Sequence, residues 1–206
     1  MELVDLEKNS PESVLRLVAD NKEPQQLPIV HKQFVNFIFF RVNPDWRKLE
    51  NDKKIEYKQK FADVFEKYNR DLLTFSYSLV GFDSKADLMF WRIGNSLDSI
   101  QDMTASLYKT EFGSFLETTN NYLSVTKKRM FIAPNEKADL EDRYHVVAGE
   151  KKYHFVYPCA KNREWYEKTG EEREGLIEEN FMVGTNFRNI KIHLTHAFGF
   201  SEQEFI

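Results

Sequence analysis

The chain has 206 residues, of which 41% are hydrophobic and 15% aromatic, enough for one large domain or two small fused ones with a sizeable core. A formal net charge of -4 and a pI near 5.8 provide no basic surface, which argues against nucleic acid as a partner. One cysteine excludes an internal disulfide framework. The sequence also has no apolar run long enough to span a bilayer and no signal-peptide pattern. Together these features predict a soluble cytoplasmic protein without a membrane partner.

Residues 1–30 are polar and are predicted to form an N-terminal extension. Residues 31–126 then follow the order β-α-β-β-α-β of a ferredoxin-like unit. Helical apolar spacing predicts helices over 52–70 and from a cap at Asn95 to Leu107. Apolar or alternating patterns predict the strands of this unit near 32–42, 71–80, 87–93 and 116–126.

The pattern restarts after a charged connecting loop at 127–150. Residues 151–206 predict a strand near 151–158, a helix over 171–183 and a strand near 189–199, which open a second ferredoxin-like unit. Its last helix and strand are missing, so this unit is predicted to be truncated. The predicted fold class is α+β, with two units forming a dimeric α+β barrel and an exposed edge. Either the chain is a shortened one, or another subunit covers that edge.

Standard catalytic strings are absent from the sequence: it has no glycine-rich phosphate loop, HExxH, CxxC or GxSxG. Five histidines are scattered, and only His193 and His196 are close together. Three residues apart on a strand, they would face opposite sides of the sheet and would not chelate one ion. Ordinary core or surface histidines are the favoured interpretation.

Tyr157 and Lys161, in "YHFVYPCAKNREWY", have a spacing that suggests a ligand site. On an extended chain they would share a face about 13 Å apart, at roughly 3.3 Å per residue. A phenol and an ammonium so placed could hold a long anionic ligand at two points. The alternative is that Tyr157 is a half-buried strand residue and Lys161 a solvated loop residue.

A family resemblance favours the ligand site. The strings "FVYPCAKNREWY", "EERE", "GLIEENFMVG" and "IKIHLTHAFGFSEQEF" resemble, in this order, the haem-binding half of the chlorite dismutase and coproheme decarboxylase family. Upstream, "VNPDWRKL", "DLMFWRIGNSLDSIQDM" and "NYLSVTK" are also similar to it. The resemblance implies two ferredoxin-like units in a barrel, assembly into a homopentamer, and an iron porphyrin in the C-terminal unit.

The resemblance also implies roles for individual residues on the propionate side of the porphyrin. Tyr157 matches the tyrosine that acts as a radical relay in coproheme decarboxylation, and Lys161 matches a lysine that pairs with a propionate. Arg143 is the candidate for a second propionate-binding residue. Cys159, within this motif, is expected to be a small packed residue and not a ligand.

The iron side of the expected site is altered. Relatives carry an axial histidine four residues before a glycine turn, and in "EENFMVG" that position is Asn180. A neutral carboxamide is a weaker ligand for haem iron than an imidazole. The distal residue falls on Ile192 or on His193, depending on whether the alignment is anchored on "FGFSEQEF" or on Gly184. Neither is an arginine, so chlorite decomposition is not expected.

Three functions remain open. The first is a haem-binding protein, holding iron porphyrin weakly, with peroxidase or coproheme-decarboxylase type oxidoreductase activity as its possible chemistry. The second is a haem-free family member that binds another anionic ligand. The third is a purely structural homo-oligomer. Haem titration would separate the first from the other two.

Overall fold

Four strands and two long helices occupy the first part of the described chain. They are β1 (Phe34–Val42), α1 (Asn51–Tyr68), β2 (Leu72–Ser78), β3 (Leu88–Gly94), α2 (Leu97–Tyr108) and β4 (Leu116–Val125). Short 3-10 turns at Pro44–Lys48 and Gly113–Phe115 precede α1 and β4. The order is the predicted β-α-β-β-α-β, and each predicted strand of this unit lies within a few residues of the observed one.

The computed structural model describes residues 32–126, 146, 153–185, 190, 193–198 and 203–206. The predicted extension at 1–30 and the loop at 127–150, apart from Val146, lie outside these residues. The compact unit that contains all described elements spans His31–Ile206.

The described strands form one antiparallel sheet in the order β2-β3-β1-β4-β5, where β5 is His196–Ala197. β1 lies at the centre, with Phe37 opposite Trp91 of β3 on one side and Tyr122 of β4 on the other. The first four strands have the ferredoxin-like arrangement. β1 is apolar along nearly its whole length because its neighbours cover both of its edges and packed side chains cover both of its faces.

Alternate side chains of β1 and β3 point into two separate clusters. The helix-face cluster joins the sheet to α1 and α2 and contains Ile38, Phe40, Trp46, Phe61, Leu72, Phe90, Ile100, Met103, Leu107, Phe112 and Leu116. The opposite-face cluster contains Val35, Phe37, Met89, Trp91, Ile93, Val146 and Ile206. Thus part of the later chain covers the face of the sheet that the helices leave open, and the fold is α+β as predicted.

A polar network crosses the helix face of the sheet. Arg92 is 1% exposed, and its Nε and Nη2 donate to Asn36 Oδ1 at 3.0 and 2.6 Å. Its Nη1 donates to the Ile100 carbonyl and to Thr104 Oγ1. Burial lowers the pKa of the Arg92 guanidinium to about 10. The network therefore ties β1, β3 and α2 together around a buried cation.

The later part of the chain contains two helices and little sheet within the described residues. α3 spans Arg163–Glu167 and α4 spans Gly170–Thr185. The helix predicted over 171–183 is present. In place of the strand predicted near 151–158, the described residues 153–158 run outside the ladder and only Cys159 pairs, with Phe205.

The strand predicted near 189–199 is likewise reduced to His196–Ala197 in the described residues. It pairs with β4 through Ala197 opposite Ser124 and His196 opposite Val125. On its other side Thr195 and Ile206 exchange backbone hydrogen bonds of 2.9 and 3.0 Å.

Candidate functional site

Side-chain hydrogen bonds cap both α3, which follows Lys161, and α4, which carries Asn180. Asn162 Oδ1 accepts from the Trp165 backbone N–H at 3.0 Å and starts α3. Thr169 and Glu172 form a capping box: Thr169 Oγ1 accepts from the Glu172 N–H, and Glu172 Oε2 accepts from the Thr169 N–H at 2.7 Å. That hydrogen bond from the backbone lowers the pKa of the Glu172 carboxyl. α4 therefore starts at a defined residue, which fixes Asn180 in its third turn.

The extended segment 153–158 has a two-residue alternation. Tyr153, Phe155 and Tyr157 are exposed, whereas His154 and Val156 are half-buried against the opposite-face cluster. Tyr157 is 72% exposed, and its ring stacks on that of Phe155 with 6.5 Å between centroids and 18° between planes. The segment thus presents a row of aromatic rings on one side. Tyr157 is not the half-buried strand tyrosine of the alternative interpretation.

Lys161 lies just beyond the Cys159 pairing, at the start of a small cluster. Its Nζ is 4.2 Å from the centroid of the Trp165 ring and 5.9 Å from that of Phe205. Its backbone N–H donates to Glu204 Oε2 at 3.3 Å, and the Tyr166 hydroxyl donates to the same oxygen. That hydrogen bond raises the pKa of Tyr166. Lys161 is exposed, and its ammonium lies over the Trp165 ring.

The other predicted residues are placed less closely together. Asn180 is exposed on α4, and within the described residues no hydrogen bond or ring contact joins it to Tyr157 or Lys161. His193 is half-buried, and its charge contributes to lowering the pKa of His154. Arg143 and Ile192 lie outside the described residues. Tyr157 and Lys161 flank Cys159, which pairs with Phe205, and the roles of all the predicted site residues remain predictions.

Two local expectations were wrong. Cys159 is exposed and not packed, because its backbone groups, bonded to Phe205 and Glu204, hold it at the surface. The side-chain cap of α2 is Ser96 and not Asn95: Ser96 Oγ accepts from the Asp98 N–H at 3.1 Å. Adjacent Asn and Ser are both good caps, so sequence alone did not distinguish them.

Sequence reasoning also missed several residues around the candidate site. Glu204 and Trp165 hold Lys161, and His154 packs under the aromatic row. An alternating pattern in "YHFVY" could have identified His154 as inward-facing. An open cavity of about 560 Å³ also lies beside Cys159; its lining is Thr119, Asn120, Asn121, Tyr122, Pro158, Cys159, Ala160 and Gln203.

Neither a metal-ligand cluster nor a membrane-spanning helix is found among the described residues. Among them, no three His, Cys, Asp or Glu side chains are grouped so as to hold a metal ion. No helix in the same part of the chain is both long enough and apolar enough to cross a membrane.

Comparison with known proteins identifies the family. The family model described as chlorite dismutase matches residues 54–206. The chain is 25% identical over 179 residues to the chlorite dismutase of Ideonella dechloratans, an alignment that covers 84% of this chain and 62% of that protein. It is also 25% identical over 186 residues to the coproheme decarboxylase of Staphylococcus carnosus, covering 81% of this chain and 73% of that protein. The chain thus spans less than two thirds of the length of the first of these relatives.

Solved structures show the same fold. A chlorite dismutase from Candidatus Nitrospira defluvii aligns with a TM-score of 0.75 and 24% identity, covering 84% of this chain and 74% of that one. A haem-binding protein from Thermus thermophilus aligns with a TM-score of 0.71 and 17% identity, covering 85% and 76% of the two chains. With the family match over most of its length, the chain belongs to the chlorite dismutase family.

Proposed function

We propose that this chain binds an iron porphyrin weakly, through the propionate side and one face of the macrocycle. The observation that carries the proposal is the exposed aromatic row of Tyr153, Phe155 and Tyr157, followed four residues later by Lys161, whose exposed ammonium lies over the Trp165 ring. Flat aromatic side chains suit the face of a macrocycle, and a lysine suits a carboxylate at its edge. Relatives named as coproheme decarboxylase and as haem-binding protein support the same ligand class.

The candidate residues fit the propionates of an iron porphyrin differently from its iron. Lys161, and Arg143 by resemblance, would meet propionates, while Ile192 or His193 would lie on the distal side. Asn180 stands where relatives carry an axial histidine, and its exposed carboxamide offers a weak ligand atom. The residues therefore fit an anionic planar molecule better than they fit its iron. For that reason we propose that the chain binds the porphyrin, and we propose no catalytic step at the iron.

Oxidoreductase activity is a second part of the proposal, separate from binding. Tyr157 keeps the phenol that the resemblance implies for radical relay, and its 72% exposed side chain is accessible to a ligand. Chlorite decomposition is not expected, since neither candidate distal position is an arginine. We expect any peroxidase or decarboxylase activity to be impaired more strongly than binding, because Asn180 replaces the axial imidazole.

Asn180 is also the observation that favours a second candidate, a haem-free member that binds another anionic ligand. Absorbance titration with haem distinguishes the two candidates. Titration with haem dimethyl ester in the same detergent then tests whether the carboxylates contribute to binding. We expect wild type to bind haem, and the ester less tightly, since the ester lacks the carboxylates. No spectral change at any haem concentration would reject porphyrin binding and leave the haem-free candidate.

Lys161→Ala tests the propionate contact in the same titration. Because Lys161 is exposed, we expect a loss of at most ~1 kcal/mol, roughly fivefold in affinity, for haem and no loss for the ester. Lys67→Ala is the matched control, since its Nζ also lies over a ring, 5.2 Å from the centroid of Tyr68, but in the first unit. Equal losses for haem and ester would show that Lys161 does not meet a carboxylate.

We also propose that the chain is a homo-oligomer, with five subunits as the family resemblance implies. Side chains of the second unit that expose apolar surface support this, among them Met182, Val183, Ile190 and Leu194. Multi-angle light scattering at micromolar concentration is expected to give a mass well above the 24.5 kDa of one chain. A monomer mass would contradict the proposal.

A further inference from the structure

His154 belongs to the same segment as Tyr157, and its ring lies within a set of aromatic rings of the sheet. Its ring centroid is 4.5 Å from that of Trp91 and 5.5 Å from those of Phe37 and Tyr77, in edge-on arrangements. These three residues belong to three different strands of the sheet. The imidazole therefore joins the segment 153–158 to the sheet face away from the helices.

The contacts of this segment with the described part of the sheet follow its two-residue alternation. Since its side chains alternate, only His154 and Val156 among residues 153–157 point toward the sheet. The first backbone pairing after them is that of Cys159 with Phe205. His154 is therefore one of the two side chains through which this segment docks on the described sheet, and it is the one of the two that titrates.

The surroundings of His154 suit its neutral form. Its Nδ1 is buried and, within the described part of the chain, makes no hydrogen bond; the same holds for Nε1 of Trp91. Burial, and secondarily the neighbouring His193, lower the pKa of His154. The titratable groups that face it among the described residues are His193 and Tyr77, with Phe37 and Trp91 as the uncharged neighbours. No carboxylate among them would offset a charge on the ring.

We infer that His154 is a positioning residue for Tyr157, which holds the segment 153–158 on the sheet when neutral and releases it when protonated. The direction follows from linkage. A base that is harder to protonate in the docked state binds its proton more readily when undocked, so docking is favoured above the ordinary imidazole pKa of about 6.5 and weakens as pH falls below it. The inference deepens the proposed function, because the released segment would carry Tyr157 away from its ligand.

Fluorine NMR of protein labelled with 5-fluorotryptophan tests the inference without any ligand. The chain has three tryptophans, so three signals are expected, and Trp91→Phe assigns the signal of Trp91. Comparing spectra in H2O and D2O measures how much water reaches each ring. Between about pH 7.5 and pH 5.5, which bracket the imidazole pKa, we expect Trp91 to gain a solvent isotope shift toward that of an exposed indole. Trp46, in the helix-face cluster, is expected to keep its buried value.

Two variants separate titration of His154 from general acid sensitivity. His154→Phe keeps an aromatic ring without a charge, and its Trp91 signal should stay shielded from water at both pH values. His196→Phe is the matched control, because the ring of His196 packs on Phe205, away from Trp91, and it should behave like wild type. If His154→Phe does not fold, the contrast between Trp91 and Trp46 in wild type still tests whether water reaches Trp91 selectively as the pH falls.

The inference would be overturned if Trp91 stayed shielded in wild type at the lower pH, or if His154→Phe exposed Trp91 as much as wild type does. Haem titrations at the same pH values then test the link to the proposed function. Affinity should fall with pH in wild type but not in His154→Phe. A protein that binds no haem would reject the proposed function while leaving the fluorine result to stand on its own.

Discussion

The first ferredoxin-like unit and the described second-unit segments differ in how completely their side chains are packed. In the first, β1 is paired on both edges and both of its faces are covered. In the second, α4 has no buried residue among its described side chains, and an aromatic row is exposed on the segment before it. Under the proposed function, the first unit would provide stability as a scaffold, whereas the second-unit segments would provide the surface that a ligand or another subunit covers.

Removing one phenylalanine from each unit is expected to give the largest contrast. Phe90 is 2% exposed and packs on the rings of Phe40, Phe61 and Phe65. We expect Phe90→Ala to lower the free energy of unfolding by ~3–5 kcal/mol, because it leaves a cavity in the helix-face cluster. Urea unfolding followed by circular dichroism measures it.

Phe155→Ala is the partner of that experiment in the second unit. Phe155 is 73% exposed, so its removal should change the free energy of unfolding by less than ~0.5 kcal/mol while weakening haem binding. A loss of stability comparable to that of Phe90→Ala would mean that the aromatic row is structural and would break the comparison between the units.

The polar network of the scaffold should show the next largest effect. Asn36→Leu removes the oxygen that accepts from two nitrogens of the buried Arg92, so we expect the free energy of unfolding to fall by ~1–3 kcal/mol. Asn121→Ala is the control: it breaks only the 2.7 Å bond from Asn36 to an exposed amide and should cost less. Equal costs would show that the buried cation does not depend on Asn36.

Helix caps should give a smaller effect that again differs between units. Ser96→Ala removes the cap of α2, which packs into the helix-face cluster, and should lower global stability by about 1 kcal/mol. Thr169→Ala removes the cap of α4 and should increase amide exchange in that helix with little global change. If both variants lowered the global free energy of unfolding equally, α4 would belong to the same cooperative unit as the scaffold.

The same difference explains how far the sequence predicts the fold. Strands of the first unit could be predicted because their burial leaves a local pattern, continuous in β1 and alternating in β2. The strands expected near 151–158 and 189–199 depend on pairing with a segment near residue 205, and a local pattern does not report how much of that pairing forms. Among the described residues, their ladders are shorter than the pattern predicts.

Prediction of the candidate site has a similar limit. The spacing of Tyr157 and Lys161 predicts a shared face, and the structure shows both side chains exposed on either side of the Cys159 pairing, without a contact that tests the shared ligand. The contacts of Lys161 with Phe205 and Glu204 could not be predicted, because they join residues more than 40 positions apart through the Cys159 pairing. Asn180 depends on the family alignment alone, so its role remains a prediction.

Haem titration of Asn180→His tests the central claim most directly, namely that the second unit keeps a porphyrin surface but has lost its axial ligand. The account predicts weak binding by wild type and binding at least about tenfold tighter by Asn180→His, a difference of ~1.4 kcal/mol. Glu179→His, which places an imidazole on the neighbouring exposed position of α4, should bind like wild type. If Asn180→His bound haem no more tightly than wild type, residue 180 would not lie at the iron and the account would be contradicted.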